Sequence, residues 1–304
     1  MDPNDISVLD KRFGIAGEVV FKEGPSGLGV VEISNGLAMA SIALQGAHLM
    51  SWAPHREELV IWLSPKAKFG PGEAIRGGVP VCWPWFGPHR SESAFPAHGF
   101  ARTVPWEVIE VQALEDGSTR LGFRLIQNDE THAQWPHSTP LALYMTIGTA
   151  LEMELVTHNL GLAPVTIGEA LHTYFQVSDI RRIAIHGLKG CLYIDKTDDG
   201  RLKQQSGPVT FDGETDRIYL ESTADCLIDD PGLSRRIRIA KRGSRSTVVW
   251  NPWAERAEAL GDFGENGYLG MVCVESANAA DDVVTIAPGG THRLWVRYTV
   301  ESMR

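Results

Sequence analysis

Three side chains able to exchange protons stand far apart in the chain, in settings that simple core packing explains poorly. His98 follows Phe95-Pro96-Ala97 and precedes Gly99, at the end of an arginine-bearing loop. His172 lies in a run of strand-like residues, where alternation puts Tyr174 on its face and Thr173 and Phe175 on the other. Glu275 closes the apolar run Met271-Val272-Cys273-Val274 and is followed by the small residues Ser276-Ala277-Asn278. A carboxylate leaving a buried strand tends to line a cavity mouth, because burying it unpaired costs roughly several kcal/mol. A carboxylate (pKa ~4.3) and an imidazole (pKa ~6.5) suit base and acid tasks near neutrality. Opening a sugar hemiacetal needs that pair: a base for the anomeric hydroxyl proton and an acid for the ring oxygen.

The second chemical feature is the stretch from 75 to 106. Arg76, His89, Arg90, His98 and Arg102 are interleaved there with Trp83, Trp85, Phe86, Phe95 and Phe100. Glycine and proline forbid long regular structure, so this backbone follows a specified irregular path. A long loop that sets cations on an aromatic bed reads as a binding loop. His89 and Arg90 could touch the ligand. The other reading is a surface crossover whose aromatics cap a core. The formal net charge of -10 argues against nucleic acid or an anionic membrane as partner. A small anion would need a local arginine pocket, which this loop can supply.

The elements that must position these residues read as strands. Short apolar runs occur at 28–33, 37–44, 47–52 and 59–63, and cleaner alternation follows at 106–111, 119–127 and 151–155. Asp116-Gly117 marks a hairpin turn, and 141–149 with 151–159 make another hairpin. Further strands are expected near 165–175, 182–186, 217–220, 235–240, 247–250, 282–287 and 294–300. One or a few short helices are expected, and one can be placed: Asn251 as cap, Pro252 at the first position, 254–260 as body and Gly261 as stop. Strands at this density, without helical periods between them, predict an all-β antiparallel sandwich. With no linker, repeat or low-complexity segment, residues 1–304 read as a single domain.

Composition is that of an ordinary globular chain, and no apolar run approaches the ~20 residues of a membrane helix. The polar N-terminus is not a secretory signal. Cys82, Cys191, Cys226 and Cys273 are scattered and read as reduced thiols, so a cytoplasmic location is expected. The other seven histidines read as surface or structural, and Arg181-Arg182 and Arg235-Arg236 as solvated faces.

Five segments in order carry a family resemblance: Arg76-Gly77-Gly78-Val79-Pro80, His98-Gly99-Phe100-Ala101-Arg102, His172-Thr173-Tyr174-Phe175, Thr215-Asp216-Arg217-Ile218-Tyr219 and Val274-Glu275-Ser276-Ala277-Asn278. Together, from about Gln45 to Asn278, they resemble the glucose-6-phosphate 1-epimerase (hexose-6-phosphate mutarotase) branch of the aldose 1-epimerase family. The resemblance implies an antiparallel β-supersandwich, a monomer, no cofactor and no metal in the chemical step. It makes Glu275 the general base and His172 the general acid. His98 would orient sugar oxygens, and Asp216 would hold a hydroxyl or position His172. Arg76 and Arg102 would face a 6-phosphate, which a guanidinium binds bidentately and which the nearby Gly77 backbone could approach. Gln45 and Asp262 are weaker carry-overs to the substrate site. Thr173 and Thr103 stand where the neutral-sugar mutarotases have proline and asparagine, so both lean toward the phosphate branch.

Three other readings are open: a carbohydrate-binding sandwich without catalysis, a neutral-sugar aldose 1-epimerase, and a metal enzyme built on His98, His172 and Glu275. The last lacks the His-x-His or His-x-Asp/Glu pair that usually sets two ligands on one strand.

Overall fold

The computed structural model describes residues 4–303. Two eight-stranded sheets dominate, and every pairing between their strands is antiparallel. The first runs, edge to edge, through Arg201–Gln204, Leu192–Asp195, Thr215–Tyr219, Ser246–Asn251, Met271–Asn278, Glu169–Leu171 and Val81–Cys82, and Tyr174–Gln176 also pairs with Met271–Asn278. The second runs through Ala184–His186, Cys226–Asp230, Arg235–Arg242, Thr291–Ser302, Ala150–His158, Leu141–Ile147, Thr119–Leu125 and Trp106–Ala113. A four-stranded meander from Val19 to Pro54 forms a third sheet. The largest buried cluster spans Leu9 to Tyr298 and draws on all three. The antiparallel sandwich expected from the alternation is therefore the observed architecture, and both expected hairpins are present.

Local causes shape the details. Two short helices join the one placed from the sequence, within the few expected. Ile6–Phe13 is capped by Asp5, whose carboxylate accepts from Ser7 N, and Asp129–Gln134 is closed by a reciprocal Asn128/Thr131 box. The expected helix spans Trp253–Leu260 and stops at Gly261 in the left-handed region. Asn251 still braces its start by accepting from Trp253 N at 2.9 Å, but Asn251 itself ends a strand and Pro252 is the capping residue.

The run at 59–63 makes only isolated bridges, Ile61 to Phe175 and Leu63 to Gly77. Arg235 is the clearest reversal, since it is buried rather than solvated. Its guanidinium donates to the carbonyls of Glu58, Leu59 and Gln176 at 2.8–2.9 Å, tying the 58–59 segment to the strand that follows His172. Among the described residues, no helix is long and apolar enough to cross a membrane.

Candidate active site

The register of one strand pair sets the site. Leu171 pairs with Ser276 and Tyr174 with Cys273, so the same register carried across the gap places His172 opposite Glu275. His172 is thus not within a strand, as the alternation suggested. It occupies the two-residue break between Glu169–Leu171 and Tyr174–Gln176. In that break its N–H donates to Pro80 O and that of Tyr174 to Gly78 O, so the loop carrying Arg76 fastens directly onto it. The result is a contact of 3.4 Å between His172 Nε2 and Glu275 Oε1. The imidazole also stacks on the Tyr174 ring, 5.0 Å between centroids and 11° between planes, and meets Trp250 edge-on. Tyr174 does share its face, as the alternation required.

A cavity of about 970 Å³ opens over this pair. His172, Glu275, His98, Asp216, Arg76 and Arg102 all line it, so residues scattered over two hundred positions converge. His98 arrives on a backbone with φ 69°, next to Gly99 at φ 70°. At Gly99 glycine is obligatory, because a Cβ would lie 1.9 Å from Trp83 O. Gly87 N donates to His98 Nδ1 at 3.4 Å, which leaves the ring proton on Nε2 as a donor. Its ring lies 5.9 Å from that of His172. Asp216 pairs across the ladder with Trp250, and both line the cavity.

The arginines are held differently. Arg76 Nε donates to Asp262 Oδ1 and its NH1 to Tyr174 Oη, both at 3.0 Å, while the guanidinium lies 5.0 Å over the Phe263 ring. Arg102 donates one N–H to Ala97 O at 2.9 Å. His89 and Arg90 also line the cavity.

Three of the expected substrate contacts sit one step back. Asp262 does not line the cavity; it orients Arg76. Gly77 does not line it either. Its φ of 101° and its packing on Leu63 and Trp62 O exclude a side chain, and its carbonyl contacts His48 Nε2 at 2.9 Å. Gln45 spends its whole amide on a neighbouring loop, donating to Gly70 O and Glu73 O and accepting from Gly72 N. That brace fixes the approach to Arg76.

Burial governs the electrostatics. Loss of hydration pushes Glu275 well above the usual carboxylate range, and the charge of Asp216 adds to this while Arg102 opposes it. Burial likewise drives His172 well below the usual imidazole range, with His98, Arg102 and Arg76 pushing the same way. His98 is lowered to about 3 by burial and by the two arginines, so it is a neutral donor. Asp216 is raised, first by burial. Dryness thus resists both a lone Glu275 anion and a lone His172 cation. One proton shared by the pair satisfies both, as a carboxylic acid with imidazole or as a carboxylate with imidazolium, and that is the inventory of an acid–base couple.

Trp135, Trp250, Lys196 and Arg256 also line the cavity, and no motif singles them out. Lys196 and Arg256 are exposed charges in the turn after Leu192–Asp195 and on the Trp253–Leu260 helix, and nothing local distinguishes them from ordinary surface cations.

The family model described as Aldose 1-epimerase matches residues 29–299. The chain is 42% identical over 255 residues to a protein of Escherichia coli (strain K12) named "Putative glucose-6-phosphate 1-epimerase", covering 84% of each. A protein of the same name from Cenchrus ciliaris is 34% identical over 277 residues, covering 87% of this chain and 82% of that one. Among solved structures, one described as "a putative mutarotase (YeaD)" from Salmonella typhimurium superimposes with a TM-score of 0.89 at 35% identity, over 95% of this chain and 96% of the other.

Proposed function

The chain belongs to the aldose 1-epimerase family of sugar isomerases, and within it we propose that this enzyme interconverts the α and β anomers of a hexose 6-phosphate, glucose 6-phosphate first. The observation that carries the reading is the 3.4 Å contact between His172 Nε2 and Glu275 Oε1 on a cavity wall that Arg76 and Arg102 share.

Glu275 takes the proton of the anomeric hydroxyl while His172 gives one to the ring oxygen, and the hemiacetal opens to an aldehyde. Rotation about the bond between the first and second carbons presents the other carbonyl face. The reverse transfers then close the opposite anomer, with Glu275 and His172 returned to their starting forms. His98 Nε2–H donates to a sugar oxygen, and Asp216 accepts from a hydroxyl. Trp250 offers an apolar surface to the pyranose. The N–H groups of Arg102 not used on Ala97, and the edge of Arg76 not used on Asp262 and Tyr174, receive the phosphate. The names of the relatives favour the phosphorylated substrate, and so does a cation pair set beside an otherwise dry dyad.

Anomer exchange followed by NMR, comparing glucose 6-phosphate with glucose, tests this. A preference for the phosphate that falls roughly 10- to 100-fold in Arg102→Ala or Arg76→Ala is the expected result, the scale of a lost charge-assisted hydrogen bond. Equal rates on both sugars would move the enzyme to the neutral-sugar branch. Saturable binding with no acceleration of exchange would make it a carbohydrate-binding sandwich.

A further inference from the structure

We propose that the dyad, together with Cys273, forms a binding site for a thiophilic divalent cation of the zinc class, and that the bound metal holds the enzyme inactive. The binding half of this proposal stands on geometry alone; the inhibitory half rests on the acid–base reading above.

One donor atom each from His172, Cys273 and Glu275 lies within 4.8 Å of the other two, and all three residues are buried. Cys273 and Glu275 are two residues apart on the Met271–Asn278 strand and therefore share a face. The motif is Cys-x-Glu, a two-donor strand pair that a search for His-x-His or His-x-Asp/Glu passes over. Cys273 pairs with Tyr174 on one side and Trp250 on the other, so its thiol is fenced laterally and turned toward the dyad's face. Zinc bound at about 2.0–2.3 Å to tetrahedral nitrogen, oxygen and sulfur holds neighbouring donors roughly 3.3–3.8 Å apart. The His172–Glu275 edge, at 3.4 Å, already has that length. The two edges from sulfur to nitrogen and oxygen, ~3.5 Å in such a site, need a closure of at most about 1.3 Å.

A second observation points to a ligand. Glu275 Oε2 is buried without a hydrogen-bond partner, although the residue is only 1% exposed. An orphaned acceptor of this kind is costly, and a cation gripped by both oxygens of the carboxylate would satisfy it. Three protein donors that leave one position toward a cavity are the arrangement of zinc sites with a replaceable fourth ligand. The mixed sulfur, nitrogen and oxygen set selects zinc or cobalt and refuses magnesium, which demands an oxygen octahedron. Coordination releases two protons to solvent, that of the thiol and the one that His172 and Glu275 share. With both members of the dyad bound to metal, neither can exchange a proton with a sugar, so metal and productive sugar exclude one another.

The test uses the reduced, chelator-stripped enzyme, titrated with Co²⁺ and followed by absorption, then with buffered Zn²⁺ and followed by anomer exchange. One equivalent of Co²⁺ should give a thiolate-to-cobalt charge-transfer band in the near ultraviolet. Cys273→Ser should abolish the band, while Cys82→Ser keeps it. Zn²⁺ should inhibit reversibly, with relief by chelator and by excess sugar, and Mg²⁺ should not inhibit. In Cys273→Ser the inhibition constant should weaken by more than the roughly 10-fold typical of losing an outer partner of a metal ligand. Thermal melts of both serine variants establish that they are folded, and Glu275→Gln gives a second loss of affinity that leaves the thiol in place. No band in the wild type, or a band that survives Cys273→Ser, overturns the proposal. A band without any anomer exchange in the metal-free enzyme would overturn the acid–base reading and leave the metal site standing.

Discussion

The two large sheets share an antiparallel plan and differ in regularity. In the sheet that lacks the dyad, strands such as Leu141–Ile147 and Ala150–His158 keep near-strict alternation of buried and half-buried residues, and Thr291–Ser302 runs for twelve. The sheet that carries the dyad uses strands of two and three residues beside the cavity, and its Met271–Asn278 strand is buried along its whole length. That burial includes Glu275, Ser276 and Asn278. A regular ladder consumes backbone groups and fixes side chains face by face, whereas the break at residues 172–173 lets a loop carbonyl bind His172 and swings its ring over the opposing carboxylate. Chemistry sits where the ladder is interrupted, and the uninterrupted sheet behind it resists the strain.

Substitutions that separate chemistry from folding sharpen this contrast. The largest effect is expected for His172→Asn, which removes the proposed acid from the break while keeping a side chain of similar reach. Turnover should fall roughly 10²- to 10⁴-fold with the melting temperature little changed. In the regular sheet, Leu143→Ala should do the reverse. Leu143 is wholly buried, so unfolding free energy should drop by roughly 2–5 kcal/mol in denaturant titration while the folded fraction turns over normally. Arg235→Met lies between the two regions. It strips donors from the carbonyls of Glu58, Leu59 and Gln176, and a loss of roughly 1–3 kcal/mol per carbonyl left dry is expected, lessened where water reaches. The smallest effect is expected for Gln45→Ala, which frees the 70–73 loop. Turnover should fall by less than about 10-fold, one charge-neutral brace being worth roughly 1 kcal/mol. A large loss there would mean that Gln45 touches the sugar after all.

Much of the regular sheet was legible because its half-buried strands alternate cleanly: residues 106–111, 119–127 and 141–159 read directly as two hairpins. The dyad-bearing sheet was legible only in part. His98, His172, Glu275, Asp216, Arg76 and Arg102 could be named from motif order, and the structure brings all six to one cavity. Their supports could not be named. Gln45 and Gly77 carry the same residue types whether they touch a ligand or brace the loop beside it, and only their spent hydrogen bonds tell the two apart. Arg235 looked solvated because two adjacent arginines usually are, yet alternation sends Arg236 outward to Asp229 and Arg235 inward to three carbonyls. Cys273 looked inert because a lone thiol in an apolar run is ordinarily just a small apolar side chain, and its neighbours across the ladder lie far away in sequence.

The most direct measurement is the exchange rate between the anomers of glucose 6-phosphate with Glu275→Gln, read by magnetisation-transfer NMR beside a melt of the same sample. The expected variant melts close to wild type and accelerates exchange at least about 100-fold less. A folded Glu275→Gln enzyme that still exchanges the anomers at the wild-type rate would contradict Glu275 as the general base, whatever the geometry of the dyad.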